Sequence, residues 1–534
     1  MTVRASKLKA VAAGLLVATA ALAARSAAAQ VMPVPPDNPT PEVKPPPTPP
    51  PAETPAPPEA PPPEAPAPPP PPAVQQLPDN PVAMPPDDDT DAAAQAAYAW
   101  ERKPIKRVVA RWKTALYGFV ELDAMHDSTQ SYGPSANNLT LARPGTYAGT
   151  HGRTQLTANN SLFGGLVEAR PYDGLRAIGQ FEVDFFGAQP TDATESTVYT
   201  TPAVRMRLFY LRVKAKLGVS SLDLLAGQYH DLFAWGGAGF YPNSVAFLGI
   251  AGQVYHRNPQ LRLNWSVPLC CVTIDVAAAA VRPVQRDSEV PDVQAGIRVA
   301  VDKWRGVGAQ GFGLPEVQPL AIGVSGVWRR FAVAEFLPVP GEPKVAFGYG
   351  LAANAFVPII RPRSRSDRGN ALAVNAEVTI GTGLGDLYTG LTGGALFPTL
   401  PNPGGLMPAP IYRQNIDSGI VTFDADGNLK TINWRALVVG LQYYLPFGDG
   451  RIWVSGNYSQ LKSTNIVSLT PENSRGGVFY WQDYLDANAY GAITPAVQLG
   501  VSYQYTHQVF GDRPFGAHPE SNNHRGELGF RFFF

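Results

Sequence analysis

The segment GLRAIGQFEVDFF at 174–186 alternates between apolar and polar side chains with a period of two. Its odd positions, from Leu175 to Phe185, carry only apolar residues or glycine, whereas its even positions include Arg176, Glu182 and Asp184. Because successive side chains of a β-strand point to opposite faces of the sheet, the segment is predicted to form a strand with one apolar face and one charged face.

The same alternation recurs between Thr114 and Phe534, interrupted by segments rich in glycine, proline, asparagine and aspartate. It predicts about 16 strands, an even number as in bacterial outer-membrane barrels, joined by alternating short and long connections. The connection at 304–319 does not fit, because it is long for a place where a short turn is expected. The predicted strands lie at 114–125, 152–169, 175–186, 204–217, 222–230, 260–267, 272–281, 292–303, 320–329, 344–358, 371–383, 431–445, 451–461, 477–490, 496–507 and 524–534.

Two all-β architectures accommodate such strands, a soluble β-sandwich and a transmembrane antiparallel β-barrel. The barrel is favoured because charged residues line the polar face of strand after strand and aromatic residues gather at strand ends, as they do at membrane interfaces. No uncharged apolar run after the N-terminus reaches 18 residues, so a membrane-spanning form has to be a closed barrel surrounded by lipid.

The last strand carries apolar residues at alternate positions from Leu528 to Phe534 and ends on an aromatic residue. This ending resembles the C-terminal signature by which bacterial outer-membrane barrels are recognised for assembly. It predicts a location in the outer membrane of a Gram-negative bacterium.

The N-terminal part has a different composition. Residues 1–29 combine basic residues, an apolar run and a small-residue end, the pattern of a secretory signal peptide. Residues 30–90 are proline-rich and are predicted to be a disordered, extended periplasmic tether. The tether either is a passive spacer or extends to bind peptidoglycan or a periplasmic partner. Residues 91–113 are predicted to form a short periplasmic helix that Pro104 ends, followed by a basic stretch. The barrel is predicted to occupy 114–534.

Several functional classes are disfavoured by composition. A net charge of +0 with 16% charged residues argues against a nucleic-acid partner, which requires an excess of lysine and arginine. The seven histidines lie in no recognisable catalytic or zinc motif, so we expect no enzyme activity, metal or cofactor. Cys270 and Cys271 are adjacent and exclude a disulfide framework; two ordinary thiols at a turn are favoured over a vicinal disulfide.

In a pore, the charge and width of the constriction decide which solutes pass. The loop at 231–259 occupies the place where general porins fold an outer loop into the channel, and an inward and a surface position are both open for it. The candidate pore-lining residues are Glu121, Asp123, Arg176, Glu182, Asp184, Arg212, Lys214, Arg262, Asp275 and Arg298, and the candidate constriction residues are Asp231, Phe233, Trp235, Phe240 and Tyr241. The row of Arg212 and Lys214 predicts a modest anion preference; alternatively, these charges only pair with others and hydrate the wall.

Several phrases of the chain point beyond a fold class, among them YGFVELDAMHD at 117–127, HGRTQL at 151–156, GQFEVDFFG at 179–187 and LLAGQYHDLF at 224–233. Together they resemble the DcaP-like family of outer-membrane porins. The resemblance implies a homotrimer of 16-stranded pores that pass small, often anionic, organic solutes. The chain departs from the family at its N-terminus, where characterised members carry a coiled-coil-like segment and this chain carries the proline-rich tether.

The function expected from the sequence is passive diffusion of small hydrophilic solutes, anionic ones among them, through an outer-membrane porin. The alternative is a barrel that anchors the outer membrane to the cell wall, or acts as an adhesin, without transport. Conductance separates the two, because a barrel with a plugged lumen gives no single-channel steps.

Overall fold

A computed structural model describes residues 105–109 and 112–534, apart from 134–139, 188–202, 236–249, 309–315, 336–340, 365–366, 392–397, 401–414 and 512–518. The chain divides into two units, Met1–Asp89 and Thr90–Phe534, and the described residues belong to the second. The predicted signal peptide, the predicted tether and the predicted helix before Pro104 lie outside the described residues.

The described part consists almost entirely of antiparallel strands, with one helical turn at Tyr147–Thr150 and short 3-10 turns at Arg286–Ser288, Gly385–Leu387, Gly448–Gly450 and Glu472–Gly477. The strands are β1 Ile105–Val109, β2 Trp112–Asp127, β3 Arg153–Thr157, β4 Leu162–Ala169, β5 Leu175–Asp184, β6 Arg205–Leu217, β7 Ser220–His230, β8 Arg257–Leu269, β9 Val272–Val281, β10 Asp292–Gly308, β11 Glu316–Ala334, β12 Pro343–Ile360, β13 Leu372–Thr382, β14 Val421–Phe423, β15 Leu429–Thr431, β16 Asn433–Tyr444, β17 Ile452–Lys462, β18 Phe479–Ala492, β19 Val497–Phe510 and β20 Glu520–Phe533.

The strands close into a barrel because the last strand pairs with an early one, β20 with β2, in the register Phe119↔Phe533 to Asp127↔Arg525. Strands β3 and β4 share one place in the wall, since both pair with β2, one with each half of it. The wall therefore has 16 positions, namely β2, β3 with β4, β5 to β13, and β16 to β20. The predicted 16-stranded antiparallel barrel is confirmed.

The predicted long turn at 304–319 is wrong in its limits. Strand β10 runs to Gly308 and β11 begins at Glu316, so the connection is 309–315, which lies outside the described residues. The β10–β11 register shifts between Val301 and Arg305. A bulge of this kind breaks the period of two, which is why the predicted strand at 292–303 ends before β10 does.

At one end of the barrel the connections are tight, as at Gly218–Val219 between β6 and β7 and at Cys270–Cys271 between β8 and β9. Strand β1 pairs with β2 at this end, beyond the last residue of β20. The opposite end carries the long loops. Short turns face the periplasm in outer-membrane barrels, so the tight-turn end is the periplasmic end.

The outer face of the wall is apolar and exposed, with Leu211, Leu351, Val501 and Leu528 as examples. The alternate residues point inward and are mostly polar and buried. Soluble proteins rarely expose contiguous apolar surface beyond a few hundred Å². The apolar belt is therefore the surface that lipid covers. Among the described residues, no helix is both long and apolar enough to cross a membrane.

Candidate functional site

Two described parts of the loop between β7 and β8, here called the β7–β8 loop (231–235 and 250–256), enter the barrel. The backbone N–H groups of Leu232 and Phe233 donate hydrogen bonds to Gln294 Oε1 at 2.7 and 2.8 Å. The N–H of Ala234 donates to Ser325 Oγ at 2.8 Å. Gln294 and Ser325 are buried inward-facing residues of β10 and β11, so the first part of the loop lies against the inner wall.

The returning part of the β7–β8 loop pairs with the loop that follows β13. Gly252 N–H donates to Thr389 O at 2.8 Å, and Thr389 N–H donates to Gln253 O at the same distance. Tyr255 N–H donates to Leu387 O at 3.1 Å. The two loops thus form a short antiparallel ladder inside the barrel.

This ladder is fastened to a distant part of the wall. Val254 N–H donates to Glu377 Oε1 of β13 at 2.8 Å, and Ser459 Oγ of β17 donates to Ala251 O. Strand β17 lies seven positions around the wall from β8. Residues 250–256 contact β17 at Ala251 and continue directly into β8, so this part of the loop crosses the lumen. Asp231, Phe233 and Trp235 lie inside the barrel, whereas Phe240 and Tyr241 lie outside the described residues.

A buried polar network, here called the loop latch (Asp231, His256, Asp292, Arg329 and Asp386), joins both loops to the wall. Arg329 of β11 forms an ion pair with Asp292 at 2.8 Å and binds both carboxylate oxygens of Asp386 at 2.6 and 2.8 Å. His256 Nδ1 lies 3.5 Å from Asp231 Oδ2. Burial would raise the pKa of Asp386, but Arg329 holds it below its usual range.

The candidate pore-lining residues occupy the inner wall, and most of them form ion pairs. Arg207 Nε lies 2.7 Å from Glu182 Oε1, and its Nη1 lies 2.9 Å from Asp184 Oδ2. The same guanidinium donates to the Tyr255 hydroxyl at 3.0 Å, which ties the β7–β8 loop to this wall. Arg205 binds Asp184 as well, at 2.6 Å.

The other candidates fall into three groups. Ion pairs join Glu121 to Arg531, Arg212 to Asp223, and Arg298 to Asp275. Asp123 accepts a hydrogen bond from Asn160, and Arg262 donates to Asn264 while its guanidinium lies 4.9 Å from the Trp235 ring. Lys214 is half-buried and lies opposite Arg176 in the β5–β6 register. Arg176 lies at the periplasmic mouth of the barrel and forms an ion pair with Glu168.

Comparison with known proteins bears on the fold of this barrel. No family model and no curated protein matches the sequence. The outer-membrane channel DcaP of Acinetobacter baumannii matches in structure at 16% identity, with a TM-score of 0.55 over 80% of this chain and 99% of that chain. This chain has the fold of an outer-membrane channel. The fold and the apolar belt agree with the predicted location in the outer membrane of a Gram-negative bacterium.

Two further solved structures match with lower TM-scores. The anion-selective porin from Comamonas acidovorans is 11% identical, with a TM-score of 0.41 over 79% of this chain and 100% of that chain. OmpF of Salmonella typhi, in complex with daunomycin, is 11% identical, with a TM-score of 0.41 over 80% of this chain and 100% of that chain.

The predicted pore-lining residues do not include the arginines that pair with acidic residues inside the barrel. Arg525 and Arg531 lie on the inward positions of β20, in the opposite phase to Leu528, and the alternation already visible there was enough to find them. The alternation could not identify Arg207 as an inward-facing residue. The β5–β6 register shifts between Glu182 and Val183, so a residue that alternation assigns to the lipid face lies inside.

The loop latch predicts a pH dependence. Burial would lower the pKa of His256, but its hydrogen bond to Asp231 and the charges of Asp231 and Asp386 raise it above the usual value. Protonated His256 therefore stabilises the fold fully below the unfolded-chain pKa of about 6.5, and this contribution is lost as the pH rises through the folded-state pKa. We expect the thermal unfolding midpoint in detergent to fall between about pH 6 and about pH 8.

Two variants give this measurement a control. His256→Gln should reduce the decrease between the two pH values, whereas His151→Gln, at an exposed position beside Tyr147, should leave it unchanged. An unfolding midpoint in His256→Gln that still falls as in the parent protein would contradict the assignment.

Proposed function

We propose that the protein is a passive diffusion channel for small hydrophilic solutes. The observation that carries this proposal is a charged and amide-rich inner wall around a lumen that residues 250–256 of the β7–β8 loop cross. An inward loop narrows a barrel to a constriction, and polar walls beside it replace part of the hydration shell of a passing solute. The outer-membrane channel fold supports the same function.

We further propose a modest anion preference at the constriction. Arg257 and Arg262 on β8 form no ion pair with a carboxylate among the described residues. The inward-facing Asp486 lies on β18, eight wall positions from β8 in either direction, and accepts hydrogen bonds from Asn457 and Asn488 at 2.7 Å. Cationic and acidic groups on opposite walls produce a transverse field across the lumen.

Planar lipid bilayers test both parts of this proposal. The purified protein should give single-channel steps, and reversal potentials in a salt gradient should indicate that anions pass more easily than cations. Arg262→Gln should reduce this preference toward none. Arg435→Gln removes a positive charge from an exposed outward-facing position of β16 and should leave the preference unchanged.

The possible outcomes separate the proposals. Clear cation selectivity of the parent protein would overturn the anion preference but not the channel. Absence of any steps would overturn the channel and favour an anchor or adhesin.

Two assembly proposals rest on the sequence alone. We propose a homotrimer, which the family resemblance implies, and a peptidoglycan or periplasmic partner for the proline-rich segment at 30–90. Chemical cross-linking in outer-membrane preparations should give a trimer band.

Co-sedimentation of the protein with isolated peptidoglycan should decrease when 30–90 is deleted. Equal sedimentation of the parent protein and the deletion variant would exclude the peptidoglycan partner.

A further inference from the structure

The turn between β8 and β9 has a backbone conformation that its residues rarely adopt. Cys270 and Cys271 form this two-residue turn, between the paired residues Leu269 and Val272, and Cys270 has a φ of 47°. Positive φ in such turns is usually supplied by glycine, asparagine or aspartate. Two other tight turns at the periplasmic end follow that rule, with Gly218 at 66° and Asp173 at 48°.

This conformation brings the two thiols together. In an extended chain the side chains of adjacent residues point to opposite faces, so neighbouring cysteines do not normally meet. Here the two Sγ atoms lie 3.1 Å apart. Cys270 is exposed and Cys271 is partly exposed, so reagents in solution can reach the pair.

Neighbouring groups hold the turn in place and activate one thiol. Asp302 N–H donates to Cys271 O at 2.9 Å, and Thr273 Oγ1 donates to Asp302 Oδ2 at 2.9 Å, which fixes the turn to β10. The hydrogen bond from the Cys270 thiol and the nearby Lys303 ammonium lower the pKa of Cys271. A lower pKa raises the thiolate fraction, and the thiolate is the reactive form.

We propose that Cys270 and Cys271 form a redox-active dithiol that is oxidised reversibly to a disulfide by exchange with a protein disulfide in the periplasm. The Cys271 thiolate attacks one sulfur of the partner disulfide, forms a mixed disulfide and releases one partner thiolate. The Cys270 thiol then loses its proton and its sulfur attacks Cys271 Sγ, which releases the second partner thiolate. Two electrons pass to the partner, and the two protons lost by the cysteines complete its two thiols.

The adjacency of the two residues makes the product easy to reduce. Consecutive Cα atoms lie about 3.8 Å apart across a trans peptide, whereas disulfide-linked Cα atoms usually lie about 4.4–6.8 Å apart. A disulfide formed under this constraint is strained, and strained, exposed disulfides have more oxidising potentials. The periplasm favours its formation, and a thiol donor there reverses it.

Differential thiol labelling of the full-length protein tests the proposal. Protein extracted from outer membranes without reductant is treated with one maleimide, reduced, and treated with a second maleimide of different mass. The tryptic peptide that contains both cysteines should carry two copies of the second label. Two copies of the first label, unchanged after incubation with oxidised glutathione, would overturn the proposal, as would a disulfide-linked dimer on a non-reducing gel.

Variants separate redox chemistry from folding. Cys270→Gly suits the positive φ, so the barrel should fold normally, and its remaining thiol should take the first label. Lys303→Gln should slow the reaction of Cys271 with oxidised glutathione several-fold. An unchanged rate in Lys303→Gln would overturn the assignment of Cys271 as the attacking thiol.

Discussion

Arg329→Met should destabilise the barrel by about 3–5 kcal/mol, because removal of one partner from a buried ion pair leaves the others uncompensated. Arg329 is 1% exposed and binds Asp292 and Asp386 together, so its loss leaves two buried carboxylates without a guanidinium. It also donates to Gly383 O at 2.8 Å, at the start of the loop that follows β13. The free energy of unfolding from a urea titration in detergent measures the effect.

The same variant should alter conduction, because Asp386 belongs to the loop that pairs with the β7–β8 loop inside the barrel. With Asp386 unbound, the ladder from Gly252 to Thr389 loses its fastening to β11. We expect single-channel recordings with more current noise, since a loosened loop changes the width of the lumen over time.

Arg330→Met is the matched control, at the next position of the same strand. Arg330 is partly buried, pairs with Glu289, whose side chain is 67% exposed, and donates to Ser288 O at 2.8 Å. A pair with one exposed partner contributes roughly 0–1 kcal/mol, so this variant should lose much less stability than Arg329→Met and should not add current noise. Equal losses in both variants would contradict the loop latch. Neutralising the acids as well, with Asp292→Asn and Asp386→Asn, should recover part of the stability that Arg329→Met loses.

Most of the wall could be predicted from the sequence, since the period of two is a local signal that each strand carries on its own. The segment at 174–186 places Arg176, Glu182 and Asp184 on one face, and the structure places the same residues on the inner face of β5. The signal fails at register shifts, as beyond Val301 in β10 and at Arg207 in β6, because a bulge changes which side of the wall a residue faces.

The arrangement inside the barrel could not be predicted in the same way. The β7–β8 loop is held by Gln294, Ser325 and Glu377, which are far away in sequence and have no local pattern that marks them as loop partners. Their alternation shows only that they face inward. Which inward residue meets which loop depends on the order of strands around the closed wall, and that order follows from the barrel as a whole.

Closure of the barrel depends on a glycine that faces the last residue of the chain. Gly118 of β2 and Phe534 exchange backbone hydrogen bonds, with Phe534 N–H donating to Gly118 O at 3.1 Å. A Cβ atom at position 118 would lie 2.4 Å from Leu162 O and 2.7 Å from Phe534 Cζ. The contact with Leu162 involves backbone of the neighbouring β4, so rotation of a side chain does not relieve it.

Gly118→Ala should therefore cost roughly 3 kcal/mol or more, at or beyond the upper end for overpacked sites. The seam either opens or shifts β2 against β4 and β20, and we expect less folded barrel in outer-membrane fractions, measured by the band shift between heated and unheated samples on a gel. Gly526→Ala on β20 is the matched control, since nothing lies within 4 Å of a Cβ there. Truncating the ring in Gly118→Ala/Phe534→Ala should not restore folding, because the contact with Leu162 O persists. Normal amounts of folded Gly118→Ala would show instead that the seam accommodates a side chain by moving its strands.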